Sequence, residues 1–143
     1  MALVVLIGVV LLGTAPAASA AGGGSIGGHV RPFQLLVSLD MSATRAQIGQ
    51  VVQAHASVSN PGKTVVKKVT VELRFDPVGL RVPKALTVVA QIKAGSSATT
   101  SWSVCGRVVG VYVLLARVTL DGTSVDSAAR VLTITSGGKK ACP

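Results

Sequence analysis

The chain has 143 residues, with 14 Lys and Arg against five Asp and Glu, a formal net charge of +9. One Trp, one Tyr and two Phe give no stacking platform for single-stranded nucleic acid, and two Cys cannot supply the paired spacing of a structural zinc site. A strongly basic surface favours anionic partners such as wall polymers or lipid head groups, but charge alone selects none of them.

The first element in chain order is an export signal. Ala2–Leu12 is an apolar run, and Ala18-Ser19-Ala20 presents small residues where a signal peptidase reads them, which predicts cleavage after Ala20. No Lys or Arg precedes the run, so either the amino group supplies the positive charge or the true start lies upstream. About a dozen apolar residues are too few to cross a hydrocarbon core of about 30 Å as a helix. Residues 1–20 are therefore expected to leave, and the mature chain to carry no membrane span. Residues 21–31 form a glycine-rich flexible entry, residues 32–135 the folded domain and residues 136–143 a flexible tail. Every charged residue lies beyond the leader.

Strand patterns dominate the rest. Phe33–Leu39 places Phe33, Leu35, Val37 and Leu39 on one face. Met41–Gln50 is the one stretch that suits a helical turn or two, ended by Gly49. Val52, Ala54, Ala56 and Val58 then alternate with Gln53, His55, Ser57 and Ser59 before Asn60-Pro61-Gly62 breaks the run. Val69, Val71, Leu73 and Phe75 alternate with Lys68, Thr70, Glu72 and Arg74. A period of two belongs to a strand with one dry face; a helix needs a period near 3.6. Asp76-Pro77-Val78-Gly79-Leu80 interrupts pairing, since Pro removes a donor and Gly admits special dihedrals. Leu86–Ile92 follows, with Leu86, Val88, Ala90 and Ile92 alternating, and Lys93–Ser97 turns the chain. Ala98–Val104 carries Trp102. Val111–Leu120 is the most apolar strand, and Asp121-Gly122 is a hairpin signal. Val125–Thr135 closes the set; its alternation fails at Ala128-Ala129-Arg130, which predicts a bulge or an edge position there. About seven short strands at this spacing predict an all-β antiparallel β-sandwich.

Chemistry-bearing residues are sparse. His29 lies in the glycine-rich entry and His55 on the polar face of a strand. Asp76 and Asp121 sit in turns, where Asp commonly bonds its own backbone. No Gly-x-Ser-x-Gly elbow occurs, and Ala21–Gly28 lacks the Lys-Ser/Thr ending of a phosphate loop. The sequence thus predicts no catalytic residues, no metal ligands and no cofactor. Lys63, Lys67, Lys68 and Arg74 form the most suggestive charge group. It reads either as an anion-facing patch or as solvated cations that keep a strand from aggregating. Trp102 is expected in the core, where a large ring stabilises a small sandwich most. Cys105 and Cys142 are an even pair in a chain bound for an oxidising compartment. They predict either an intramolecular bridge or a Cys142 that stays free or pairs with another chain.

The order of these features resembles the bacterial extracellular immunoglobulin-like domains of the CARDB type (cell adhesion related domain found in bacteria). It is similar also to the β-sandwich module associated with bacterial α-galactosidases. The residues that carry the likeness are Val58-Ser59-Asn60-Pro61-Gly62, Val69-Thr70-Val71-Glu72-Leu73, Pro77-Val78-Gly79-Leu80, Ile92-Lys93-Ala94-Gly95-Ser96 with Thr100-Ser101-Trp102, and Gly110-Val111-Tyr112. The resemblance implies an immunoglobulin-like sandwich serving adhesion, carbohydrate association or domain spacing without catalysis. One departure stands beside it. After the last hairpin this chain reads Asp126-Ser127-Ala128-Ala129-Arg130, without the run of acidic and Asn residues common in the family, so no calcium role is implied there. An antibody-type domain is a poorer match, because Leu114 stands where it has a Cys two residues after its Tyr.

The functional expectation is a secreted, non-catalytic module for cell-surface interaction or adhesion, with an anionic or carbohydrate envelope polymer or a surface protein as partner. A structural spacer without its own ligand is the alternative, and a small hydrolase or metal chaperone a second one. Nucleic acid is not an expected partner.

Overall fold

Alternating side chains give each strand a dry face, and two sheets whose dry faces meet enclose a core. The computed structural model describes residues 34–138 and 141–143. The leader, the glycine-rich entry with His29, and Phe33 lie outside them. Nine strands form: β1 Leu36–Met41, β2 Arg45–Gln47, β3 Val51–Ser59, β4 Val66–Arg74, β5 Leu80–Arg81, β6 Leu86–Ile92, β7 Ser97–Gly106, β8 Gly110–Leu120 and β9 Thr123–Thr135. One sheet runs β1-β3-β7-β5 and the other β2-β9-β8-β4-β6. This is an all-β, immunoglobulin-like sandwich, antiparallel throughout except where β2 pairs parallel with β9.

The interior strands follow their sequence pattern. Val52, Ala54, Ala56 and Val58 of β3 are buried against Val69, Val71 and Leu73 of β4 and Leu114, Ala116 and Val118 of β8. Each fully buried Val or Leu among them contributes about 1.5–3 kcal/mol. Trp102 joins this core, directly beside Ala54 in the β3–β7 register. The smallest side chain on one strand thus accommodates the largest on the next, which keeps the interior dense.

The expected helical turns of Met41–Gln50 are absent. Arg45–Gln47 instead forms β2, with Ala46 buried opposite Ile134. Pairing satisfies the edge of β9 and buries Ala46, and that outweighs a weak local helical preference. Gly49, at φ 80, then turns the chain and donates its N–H to Gly106 O. The break at Asp76–Leu80 is also shorter than expected. Asp76 Oδ1 accepts the Val78 N–H at 2.9 Å, and β5 begins at Leu80, whose side chain is buried.

Strand β6 departs most. Of Leu86, Val88, Ala90 and Ile92, only Ile92 is buried. Val66 and Val69, three residues apart on β4, both point inward, and the backbone between them turns at Lys68, φ 54. The partner strand shifts phase with it, so Thr87 and Val89 lean inward while Leu86, Val88 and Ala90 face solvent.

The β8–β9 irregularity lies between Val118 and Thr119, where Val118 faces Asp126 and Thr119 faces Ser124. Val125 is the extra residue, close to the hairpin. The register through Ala128, Ala129 and Arg130 is continuous, so no bulge sits where the alternation fails. These residues hold the edge position: β2 pairs only with Thr133, Ile134 and Thr135, so Ala128, Ala129 and Arg130 have β8 as their one ladder neighbour and lie beside β1. Asp126 Oδ2 accepts the Val37 N–H of β1 at 2.7 Å, and Arg130 Nη2 lies 3.7 Å from Asp40 Oδ1.

Two fastenings close the opposite end. Tyr112 Oη donates to Val108 O at 2.8 Å, and its ring lies so near Gly79 that a Cβ there would fall 2.0 Å from it. Cys105 and Cys142 are joined by a disulfide across 37 positions, tying the tail to the end of β7. Gly138 lets the returning tail pass Ile48, whose carbonyl oxygen would lie 1.6 Å from an added Cβ.

Candidate functional site

One pole of the sandwich is built around Asn60, which follows β3 and is 1% exposed. Its Nδ2 donates to Thr64 O at 2.8 Å and to Ile92 O at 3.0 Å, and its Oδ1 accepts the Gly62 N–H at 3.1 Å. Its backbone N–H donates to Ser96 O and its carbonyl accepts the Gly95 N–H. The β3–β4 and β6–β7 turns are thereby locked together by a single side chain and its own peptide groups. Buried amides keep such bonds because an unmade one costs about 1–3 kcal/mol.

That frame fixes where the lysines stand. Lys63 lies in the first turn, Lys93 opens the second, and Lys67 and Lys68 begin β4 opposite the end of β6. All four are exposed. No carboxylate lies within 4.0 Å of any of them among the described residues. Asp121, in the β8–β9 turn, is the one acid at this pole by the β4–β8 register. Four unpaired ammonium groups on a rigid frame form a positive field that draws anions over roughly 10 Å at moderate salt.

Arg74 does not belong to this group. It ends β4 six residues beyond Lys68, a distance of about 20 Å along a strand, and its Nε holds Glu72 Oε2 at 3.0 Å. Lys93 takes its place, 30 positions from Lys63 in sequence. The only sequence signal for Lys93 was its place at the head of a turn; the contact between the two turns is tertiary.

The outer face of the four-stranded sheet carries a different constellation. Asp40, His55 and Ser101 lie in one row across β1, β3 and β7, with His55 Nδ1 2.8 Å from Ser101 Oγ. The residue types are those of a hydrolytic triad, yet the row lies on an exposed sheet face. Asp40 turns toward Arg130, and strand amides spent on the ladder offer no convergent oxyanion donors. The row continues a hydroxyl-rich surface in which Ser59 meets Ser97 and Gln53 meets Ser103.

Trp102 is 3% exposed, so it presents no sugar platform, and its Nε1 has no partner among the described residues. No three His, Cys, Asp or Glu side chains converge among the described residues. No helix among them is long and apolar enough to cross a membrane.

No known family's sequence profile matches the chain, and no curated protein sequence matches it. Among solved structures, its fold is similar to the CARDB domain of a Pyrococcus furiosus protein in complex with di-metal ions. The identity is 15% and the TM-score 0.61, over 72% of this chain and 89% of that one. A cohesin module from a Clostridium perfringens family 33 glycoside hydrolase aligns at 10% identity and TM-score 0.52, over 73% and 98%. A β-glucosidase from Erythrobacter marinus aligns at 12% and 0.54, over 72% of this chain but 16% of the enzyme. The likeness is one of fold, and with the first of these it is a distant match to an archaeal CARDB-type sandwich.

Proposed function

We propose that this chain is a secreted, non-catalytic immunoglobulin-like module that attaches to anionic polymers of a bacterial cell surface through its lysine-rich pole. The observation that carries the reading is the set Lys63, Lys67, Lys68 and Lys93 around buried Asn60, with Asp121 the one acid at that pole and no carboxylate within 4.0 Å of the four among the described residues. The CARDB-type fold supports an interaction role. The leader read from residues 1–20 supports export. Polyanions suit exposed lysines because many weak, mobile contacts add along a charged chain while none demands a shaped pocket.

The test is retention of the mature chain on purified cell envelope across a salt gradient. Retention is expected to fade as salt rises from about 0.05 to about 0.5 M, where the screening length drops to about 4 Å. The variant Lys63→Gln, Lys67→Gln, Lys68→Gln, Lys93→Gln should elute far earlier than the parent, whereas Lys84→Gln should hardly move. Equal retention of the fourfold variant removes the pole from consideration. Failure of the parent to bind any envelope fraction assigns the chain to the spacer role.

A further inference from the structure

Strand β6 ends the five-stranded sheet, and its pairing with β4 decides which of its backbone groups face outward. The Leu73 N–H donates to Ala85 O at 2.7 Å, and the same register sets Val71 opposite Thr87 and Val69 opposite Val89. In an antiparallel ladder the alternate residues turn their amides the other way. Leu86, Val88 and Ala90 therefore direct N–H and C=O away from β4, and no described residue pairs with them there. The side chains of the same three residues are bare, with Leu86 48% and Val88 59% exposed.

Natural sheet edges are usually blunted by a charge, a proline or a bulge within the strand. Leu86–Ile92 reads Leu-Thr-Val-Val-Ala-Gln-Ile, with no charge and no proline, and its ladder with β4 is unbroken from Leu86 to Val89, lapsing only at Ala90 beside Lys68. The nearest charges are Lys84 before it and Lys93 after it.

We propose that β6 is a strand-addition edge that takes an extended segment of a partner polypeptide, apolar at alternate positions and acidic at both ends. A row of unpaired amides at strand spacing is matched by another polypeptide backbone, and neither a glycan nor a lipid repeats donor and acceptor at that spacing. A second copy of this chain is the wrong occupant. Two β6 strands paired antiparallel about a dyad at Val88 bring Lys84 of each beside Lys93 of the other, so both ends repel. Acidic residues at the ends of a partner segment turn the same two lysines into attractive contacts. This edge shares Lys93 with the pole but is recognised through its backbone amides, so a peptide methylated at its nitrogens distinguishes it from the polymer-binding reading.

The probe is a synthetic peptide with a central Val-Thr-Val-Thr-Val and two Glu at each end, titrated into the isotope-labelled mature chain. Amide shifts are expected at Leu86, Val88 and Ala90, with binding weakened roughly tenfold or more when the Glu ends become Lys. Methylation of alternate peptide nitrogens should abolish binding. Val88→Pro removes an outward donor at a position where an edge tolerates proline. Val88→Lys keeps the donor and adds the charge that ordinary edges carry. Both variants should lose the peptide while circular dichroism and the melting midpoint show a folded chain. Three results overturn the proposal: no shifts at millimolar peptide, equal binding of the methylated peptide, or shifts that spare β6. Concentration-dependent dimerisation that Val88→Lys abolishes overturns the choice of occupant.

Discussion

Asn60 and Trp102 are both buried polar side chains, and their accounts with the solvent differ. Asn60 meets three partners with its amide and two more with its own peptide group. Asn60→Ala strands two carbonyls and one N–H, so the unfolding free energy should fall by about 2–3 kcal/mol, read from the denaturant midpoint at unchanged slope. Asn60→Asp should be worse near neutral pH, because a carboxylate would then face the carbonyls of Thr64 and Ile92. Trp102 behaves in the opposite way. Its Nε1 is buried without a partner among the described residues, so Trp102→Phe removes a costly donor along with some packing. The net loss should be about 1 kcal/mol or less, against about 3–5 for Trp102→Ala. A Phe variant as damaged as the Ala variant would show that the indole nitrogen is satisfied in solution.

At the level of elements, legibility tracked position in the sheet. β3 has neighbours on both sides and one face in the core, so its alternation Val52-x-Ala54-x-Ala56-x-Val58 could be read without a structure. β6 has one neighbour, and its burial phase is set by the turn of the β4 backbone at Lys68. A local pattern cannot contain that information. Short strands β2 and β5 escaped for a related reason: three and two residues carry no period, and only β9 and β7 make them strands. The tail is likewise defined by what it is tied to. The Cys105–Cys142 bond closes 37 positions, and loop-entropy reasoning assigns such a closure about 3–4 kcal/mol. The double variant Cys105→Ala, Cys142→Ala should lose about that much stability, measured by chemical denaturation, while keeping the dichroism of a β protein. Loss confined to the tail would appear as faster amide exchange around Ile48 and Gly138 alone.

The whole molecule is a positive body with few internal ion pairs. Only Arg74–Glu72 and Arg130–Asp40 approach within 4.0 Å among the described residues, against a net charge of +9. Repulsion among like charges then outweighs the pairs that salt could weaken. Raising ionic strength from about 0.01 to about 0.15 M should raise the melting midpoint, the reverse of a fold held by ion pairs. The fourfold lysine variant should start higher and respond less. A parent midpoint that falls with added salt would contradict this balance.

Composition and period-two patterning were enough to determine an all-β chain of two-faced strands with a basic exterior, because side-chain direction in a strand depends on parity alone. They also pointed to Asn60-Pro61-Gly62 as a turn and to Trp102 as interior. What the sequence could not hold is adjacency between residues far apart along the chain: Lys93 beside the Asn60 frame, Arg74 away from it, β2 on the edge of β9, and the bare outward row of β6. Those depend on which strands become neighbours, and strand order is settled by packing the two dry faces together, a property of all the strands at once.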